Sequence, residues 1–137
     1  RYSSEKSLSL EDFENIFKIK DSTIFNLQYG DVNEDLKSFT KKLDYKIITL
    51  ETLDIFNNFS GLANLLKKLD LFVTVSNSTA HLAGALGVKT MLIKPVNHAS
   101  FHYWDYEDGK TPWYKSVNII SKENLKDKKF INKFFKL

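Results

Sequence analysis

The chain has 137 residues, 42% hydrophobic and 27% charged, with a net charge of +3 and no cysteine. That length suits one ordinary domain of about 100–150 residues that buries its core without covalent staples. The apolar fraction excludes a disordered chain, the absence of any apolar run of about 18–20 residues excludes a membrane span, and zero cysteine excludes disulfide scaffolds and thiolate zinc sites.

Nothing at the start reads as a signal peptide, because the first apolar cluster is amphipathic and rich in carboxylates. The chain opens on Arg1 rather than Met, so it is expected to be a piece of something longer. Ser9 followed by Asp12 is a capping-box pattern, and Leu10, Phe13, Ile16 and Phe17 recur at helical spacing, which predicts an amphipathic helix over 10–18. Thr23 to Leu27 reads as a short strand, closed by Gln28-Tyr29-Gly30-Asp31 with Gly30 as the turn residue. Leu36, Phe39 and Leu43 predict a second helix, Tyr45 to Leu50 a second strand, and Ser60 to Leu69 a third helix with a clear leucine stripe.

The middle of the chain is the most legible. Asp70 to Val75 is nearly all apolar, as a strand buried on both faces and central in its sheet would be. It runs into Ser76-Asn77-Ser78-Thr79, a cluster of helix-capping residues. A small-residue helix from Ala80 to Leu86 follows, stopped by Gly87. Thr90 to Ile93 is the next strand, ended by Pro95, and a polar-aromatic loop covers Val96 to Lys115. Val117 to Ile120 is a last strand, and Ser121 caps one final helix carrying Leu125, Phe130, Ile131, Phe134 and Phe135. Strands alternating with helices predict one α/β domain over 1–137, a Rossmann-like parallel sheet with helices on both faces.

The charge is unevenly spread. Residues 1–121 hold 14 basic and 15 acidic groups, whereas 122–137 hold six lysines against Glu123 and Asp127. Every basic residue except Arg1 is lysine, so the bidentate forks suited to base recognition are missing and no nucleic-acid partner is expected. The lysine-rich end reads as a solvated face over a phenylalanine-rich core side.

Ligands of parallel α/β sheets bind beyond the carboxyl ends of the strands. The Ser76–Thr79 turn lies at such an end and opens a helix, where unpaired N–H groups and the dipole favour phosphate. Two readings stay open there: the hydroxyls of Ser78 and Thr79 only cap the helix, or they also hold an anion. Ala80, Ala83, Gly84 and Ala85 would let that helix pack close to the sheet. His81, in the first turn, either contacts phosphate or packs and hydrogen-bonds internally. His98 and His102 are four apart, but they follow Pro95 in a loop with no third ligand, so no metal is expected. Asp105, Glu107 and Asp108 could mimic an acid pair, but a solvated loop explains them at least as well. Trp104 and Trp113 either stack on a base or sugar, or anchor the loop.

The stretch Asp70–Gly87, DLFVTVSNSTAHLAGALG, resembles the nucleotide-binding motif of bacterial heptosyltransferase-like glycosyltransferases. That group is often associated with tetratricopeptide repeats and is related to the protein O-GlcNAc transferases. Asn26 to Asp31 resembles the group's "SLQKGD" turn. Tyr103-Trp104 with Pro112-Trp113-Tyr114-Lys115-Ser116-Val117 resembles its tryptophan loop, "SPWYPSV". The resemblance implies the donor-binding, C-terminal half of a GT-B fold, with a first Rossmann-like domain lying upstream. It implies a cytoplasmic enzyme, peripheral at the inner face of the membrane, that moves a hexosyl or heptosyl unit from a nucleoside-diphosphate sugar to a glycan or protein acceptor. The diphosphate would be held by Ser76, Asn77, Ser78, Thr79 and His81, although many members carry Asp-Thr where this chain has Ser76-Asn77. Gln28, Trp104 and Trp113 would contact the nucleotide or sugar. No residue here is assigned as catalytic, no metal or other cofactor is implied, and the isolated chain is expected to be inactive. The alternative is a non-catalytic nucleotide-binding or protein-interaction module on the same fold.

Overall fold

The structure is a computed structural model that describes residues 8–30, 32–43, 47–94, 104 and 108–136. It is α/β, with every strand pair among the described residues parallel. Among the described residues the strands form two sheets rather than the single sheet predicted, one of two strands and one of three. The chain divides into two compact units, one taking in residues 62–124 and the other 8–61 with the chain from 125 onward. No helix among the described residues is long and apolar enough to cross a membrane.

In the unit that holds residues 8–61, the backbone N–H and the hydroxyl of Ser9 both donate to the Asp12 carboxylate, at 2.9 and 3.2 Å. The capping box is therefore formed. The helix it opens is broken into a 3-10 turn, Leu10–Phe13, and a short α1, Glu14–Phe17. Ile16 and Phe17 are buried, and the rings of Phe13, Phe17 and Phe39 meet in sequence at 6.4 and 5.2 Å. Phe39 comes from α2, Asn33–Leu43. Strand β1, Ile24–Asn26, pairs in parallel with β2, Ile47–Thr49. After β1 the Asn26 side chain accepts the Gln28 N–H at 2.9 Å, and Gly30 takes φ +94°, a left-handed value that glycine adopts at no steric cost. Helix α3, Phe59–Leu66, begins where Asn58 accepts the Gly61 N–H at 2.8 Å.

The unit of residues 62–124 carries the larger sheet. Its strands are β3, Phe72–Val75; β4, Thr90–Lys94; and β5, Val117–Ser121, in that spatial order. Phe72 lies opposite Thr90, and Thr90 opposite Val117. The expectation that Asp70–Val75 is central is corrected: β3 ends this sheet, and β4 is its middle strand. Burial gives the reason. Residues 90–93 are all at most 2% exposed, whereas β3 alternates, with Phe72 and Thr74 buried and Val73 and Val75 half-buried. An apolar run alone does not distinguish those two cases. The outer edge of β5 meets the returning loop, where Lys110 pairs with Asn118 in antiparallel fashion and Ile119 N–H donates to Gly109 O at 2.8 Å. That contact blunts an otherwise open edge.

Between β3 and β4 lies α4, Ser78–Ala85. Gly87 has φ +72°, and the N–H groups of Gly87 and Val88 return to the carbonyls of Gly84 and Ala83 at 3.1 and 2.9 Å. This is a Schellman stop, as the glycine predicts. The single final helix predicted after Ser121 is two helices, α5, Lys122–Lys126, and α6, Lys128–Phe135. Asp127 separates them because its carboxylate accepts the N–H groups of Lys129 and Phe130, at 2.9 and 3.1 Å, starting a new helix.

Candidate functional site at the start of the Ser78–Ala85 helix

Strand β3 delivers the chain to Ser76 and Asn77. Asn77 is extended and its Oδ1 accepts the Ala80 N–H at 2.9 Å, while its Nδ2 donates to Thr74 Oγ1 at 3.0 Å. The Thr74 hydroxyl in turn donates to the Val75 carbonyl at 3.0 Å. The last turn of the strand and the first turn of the helix are thus tied by one amide side chain. Asparagine is among the strongest helix caps, which is why the helix starts here and not at Ala80 as the small-residue run suggests. The stretch 71–86 contains no Asp or Glu, so no carboxylate on it opposes an anion at this helix start.

The five turn residues predicted to hold diphosphate have different fates. Ser78 is exposed, in the first position of α4. Thr79 is buried at 6% exposure. Asn77 is the cap. Ser76 Oγ accepts the Trp104 indole N–H at 2.9 Å. His81 is half-buried; its ring stacks on Trp104, with centroids 4.4 Å apart and 16° between planes, and its Nδ1 lies 3.2 Å from the Tyr114 hydroxyl. The Ser76–His81 turn, Trp104 and Tyr114 therefore meet in one unit of the molecule.

Trp104 and Trp113 are not equivalent. Trp104 is only 4% exposed and belongs to the core with Ala80, Leu92, Val117 and Ile119. Its indole is occupied by His81 and Ser76, so it packs within the core and offers no open face for stacking on a base. Trp113 is 67% exposed. Gln28 is exposed and lies in the other unit, where its N–H serves the Asn26 turn. His98, His102, Asp105 and Glu107 lie outside the described residues, and Asp108 adopts φ +53° just before Gly109.

Tyr114 is the participant that the sequence did not single out. It holds His81 through its hydroxyl, and its ring occupies the space beside Gly84. A Cβ on Gly84 would stand 2.5 Å from Tyr114 Cγ. Gly84 therefore makes room for an aromatic ring, not for the sheet as the small-residue pattern suggested. The signal was present in principle: a glycine three residues after a helical histidine, with a tyrosine in the neighbouring aromatic loop.

No family profile and no solved structure matches the chain. It is similar to Protein FlbA of Caulobacter vibrioides, with 31% identity over 98 residues. Those residues make up 72% of this chain but 16% of FlbA, so the chain corresponds to a limited part of a much longer relative.

Proposed function

We propose that this chain is the donor-binding part of a GT-B glycosyltransferase, and that it takes the diphosphate of a nucleoside-diphosphate sugar at the Ser76–His81 turn. The observation that carries the reading is the capped start of α4 at the carboxyl end of β3, with the Ser78 hydroxyl exposed beside helix N–H groups. A departing diphosphate gains negative charge as the glycosidic bond breaks, and donors already aimed at it lower the barrier without reorganising. Ser78 and the first N–H groups of α4 supply such donors. His81, steadied by Trp104 and Tyr114, borders the same turn, and the exposed ring of Trp113 is available for stacking on base or sugar. The acceptor and any catalytic base belong to a preceding domain in this reading. Acceptor positioning is as much a part of the rate as donor binding, so transfer requires both halves.

Amide chemical-shift mapping tests this directly, by titrating the 137-residue chain with UDP, ADP and GDP in turn. Shifts are expected at residues 76–81. Ser78→Ala should weaken binding about ten-fold or more, since a hydrogen bond to a charged group is typically worth about 1.5–3 kcal/mol. Thr79 is unsuited to this test because its burial ties it to folding. Shifts confined to residues 122–136, or unchanged affinity in Ser78→Ala, would sink the assignment.

A further inference from the structure

We infer that Lys94, which ends β4, is the cation that holds the diphosphate of the donor; this rests on the donor reading above and extends it to a residue outside the Ser76–His81 turn. Side chains alternate along a strand, so the register sorts one face of the sheet into cross-strand rows. Thr74, Leu92 and Ile119 stand level and are all buried. Leu92 and Ile119 pack with Ala80 of α4 and with Trp104, and Thr74 is bonded to the Asn77 cap, so this row looks toward α4. The next row on the same face is Ser76, Lys94 and Ser121. Lys94 pairs with Ser121 on one side, and on the other Ser76 follows Val75, the partner of Ile93. At the carboxyl end of the sheet a buried row thus gives way to a lysine between two serines.

Place and surroundings both suit an anion. Residues 90–93 of this middle strand are buried and Lys94 is half-buried at its end, an arrangement in which the stem packs and the ammonium reaches the polar end of the sheet. Neighbouring strands stand about 4.8 Å apart, a distance that a lysine stem spans. The ammonium is therefore within reach of Ser76 and the turn that opens α4. Residues 71–104 contain no Asp or Glu, and neither does β5, so no carboxylate on β3, α4, β4 or β5 competes with a phosphate there. The start of α4 alone offers the equivalent of about half a positive charge, whereas a departing diphosphate carries several negative ones. Lysine adds a full unit as a compact point charge, the form in which it binds phosphate.

Calorimetric titration of the 137-residue chain with UDP, ADP and GDP, and with the matching nucleosides, is the test. Lys94→Gln should weaken diphosphate binding about ten-fold or more, the scale of a hydrogen bond to a charged group. It should leave nucleoside binding unchanged and make diphosphate binding less sensitive to salt. Lys94→Arg should retain most of the affinity, and Lys68→Gln, at an exposed position in the same unit, should retain all of it. Lys94→Met, which keeps a stem of similar length, repeats the measurement if Lys94→Gln disturbs folding. Diphosphate affinity untouched by Lys94→Gln but lowered by Ser78→Ala would overturn this inference and leave the donor reading standing. Equal losses for diphosphate and nucleoside would also overturn it, because they mark Lys94 as structural. Binding of none of the three diphosphates would refute the donor reading itself, and this inference with it.

Discussion

Replacing Gly84 by alanine sets two opposed effects against each other at one carbon atom. Inside a helix, alanine is favoured over glycine by about 1 kcal/mol, because glycine surrenders more backbone entropy. The new Cβ, however, would lie 2.5 Å from Tyr114 Cγ, 2.8 Å from Cδ2 and 2.9 Å from Cδ1. Ordinary carbon contacts are about 3.5–4.0 Å, so the overlap approaches 1 Å. The atoms met are at the root of the ring, and turning the ring about its own axis does not clear them. The whole side chain must move, although its hydroxyl is bonded to His81 and its ring leans on Trp104 at 6.1 Å. Overpacking costs about 1–3 kcal/mol, and here the upper part applies because a hydrogen bond is disturbed too. The net expectation is a loss of about 1–2 kcal/mol, or roughly 4–8 °C in melting temperature for a chain of this size. Both tryptophans belong to the unit of residues 62–124, so tryptophan fluorescence during urea or thermal unfolding reports on that unit. In a Tyr114→Ala background the obstacle is gone, and the same Gly84→Ala change should instead stabilise by up to about 1 kcal/mol. If Gly84→Ala stabilises the parent chain, or acts equally in both backgrounds, the packing argument fails.

Asn77→Ala removes the acceptor for the Ala80 N–H and the bond to Thr74; a destabilisation of about 1 kcal/mol is expected in the same unfolding assay, while Asn77→Asp, which keeps an acceptor, should recover most of it. Asp54 gives a pH-dependent case. Its carboxylate accepts the Asn57 side-chain amide at 2.8 Å and the N–H groups of Asn57 and Phe56 at 3.0 and 2.9 Å, and these bonds, the Asn57 amide first, hold its pKa below the ordinary 3.8. The folded value is the lower one, so the turn's stabilisation is complete above the unfolded pKa and is lost as pH falls through the folded pKa. Carbon-detected NMR titration should place the Asp54 midpoint below 3.8 and move it upward in Asn57→Ala; a midpoint at or above 3.8 in the parent chain would contradict this.

Much of the fold was legible because local chemistry and final structure agree at the same residues. Ser9 and Asp12 form their box, Gly87 makes its left-handed stop, and the stretches around β1, β3, β4 and β5 are strands. What could not be read is which strand sits between which others. Asp70–Val75 and Thr90–Ile93 are both apolar, and the burial that separates them is set by partners distant in sequence. The break at Asp127 was hidden for a different reason. The apolar spacing from Leu125 to Phe135 runs on across it, and an aspartate with lysines on either side reads as surface charge until its N–H partners are seen.

The site shows the same division between what neighbours along the chain can reveal and what only the assembled unit can. A turn of Ser, Asn, Ser and Thr after an apolar strand announces a capped helix start, and Asn77 provides it. His81, Trp104 and Trp113 were each open to a ligand-binding or a packing role, and nothing local to any of them decides it. The decision comes from how three separate stretches converge. Trp104 reaches Ser76 with its N–H and covers His81 with its ring, and Tyr114 closes the other side of His81 through the gap at Gly84. Burying an indole requires a partner for its N–H, and Ser76 fills that role with an oxygen lone pair, which leaves the Ser76 O–H itself a donor. Among the described residues of this turn and loop, Ser78 is exposed at the start of α4 and Trp113 is the exposed tryptophan. Under the proposed donor reading, ligand contact in this unit would therefore fall first on residues that the packing has left outside, while His81 and Trp104 pack behind them.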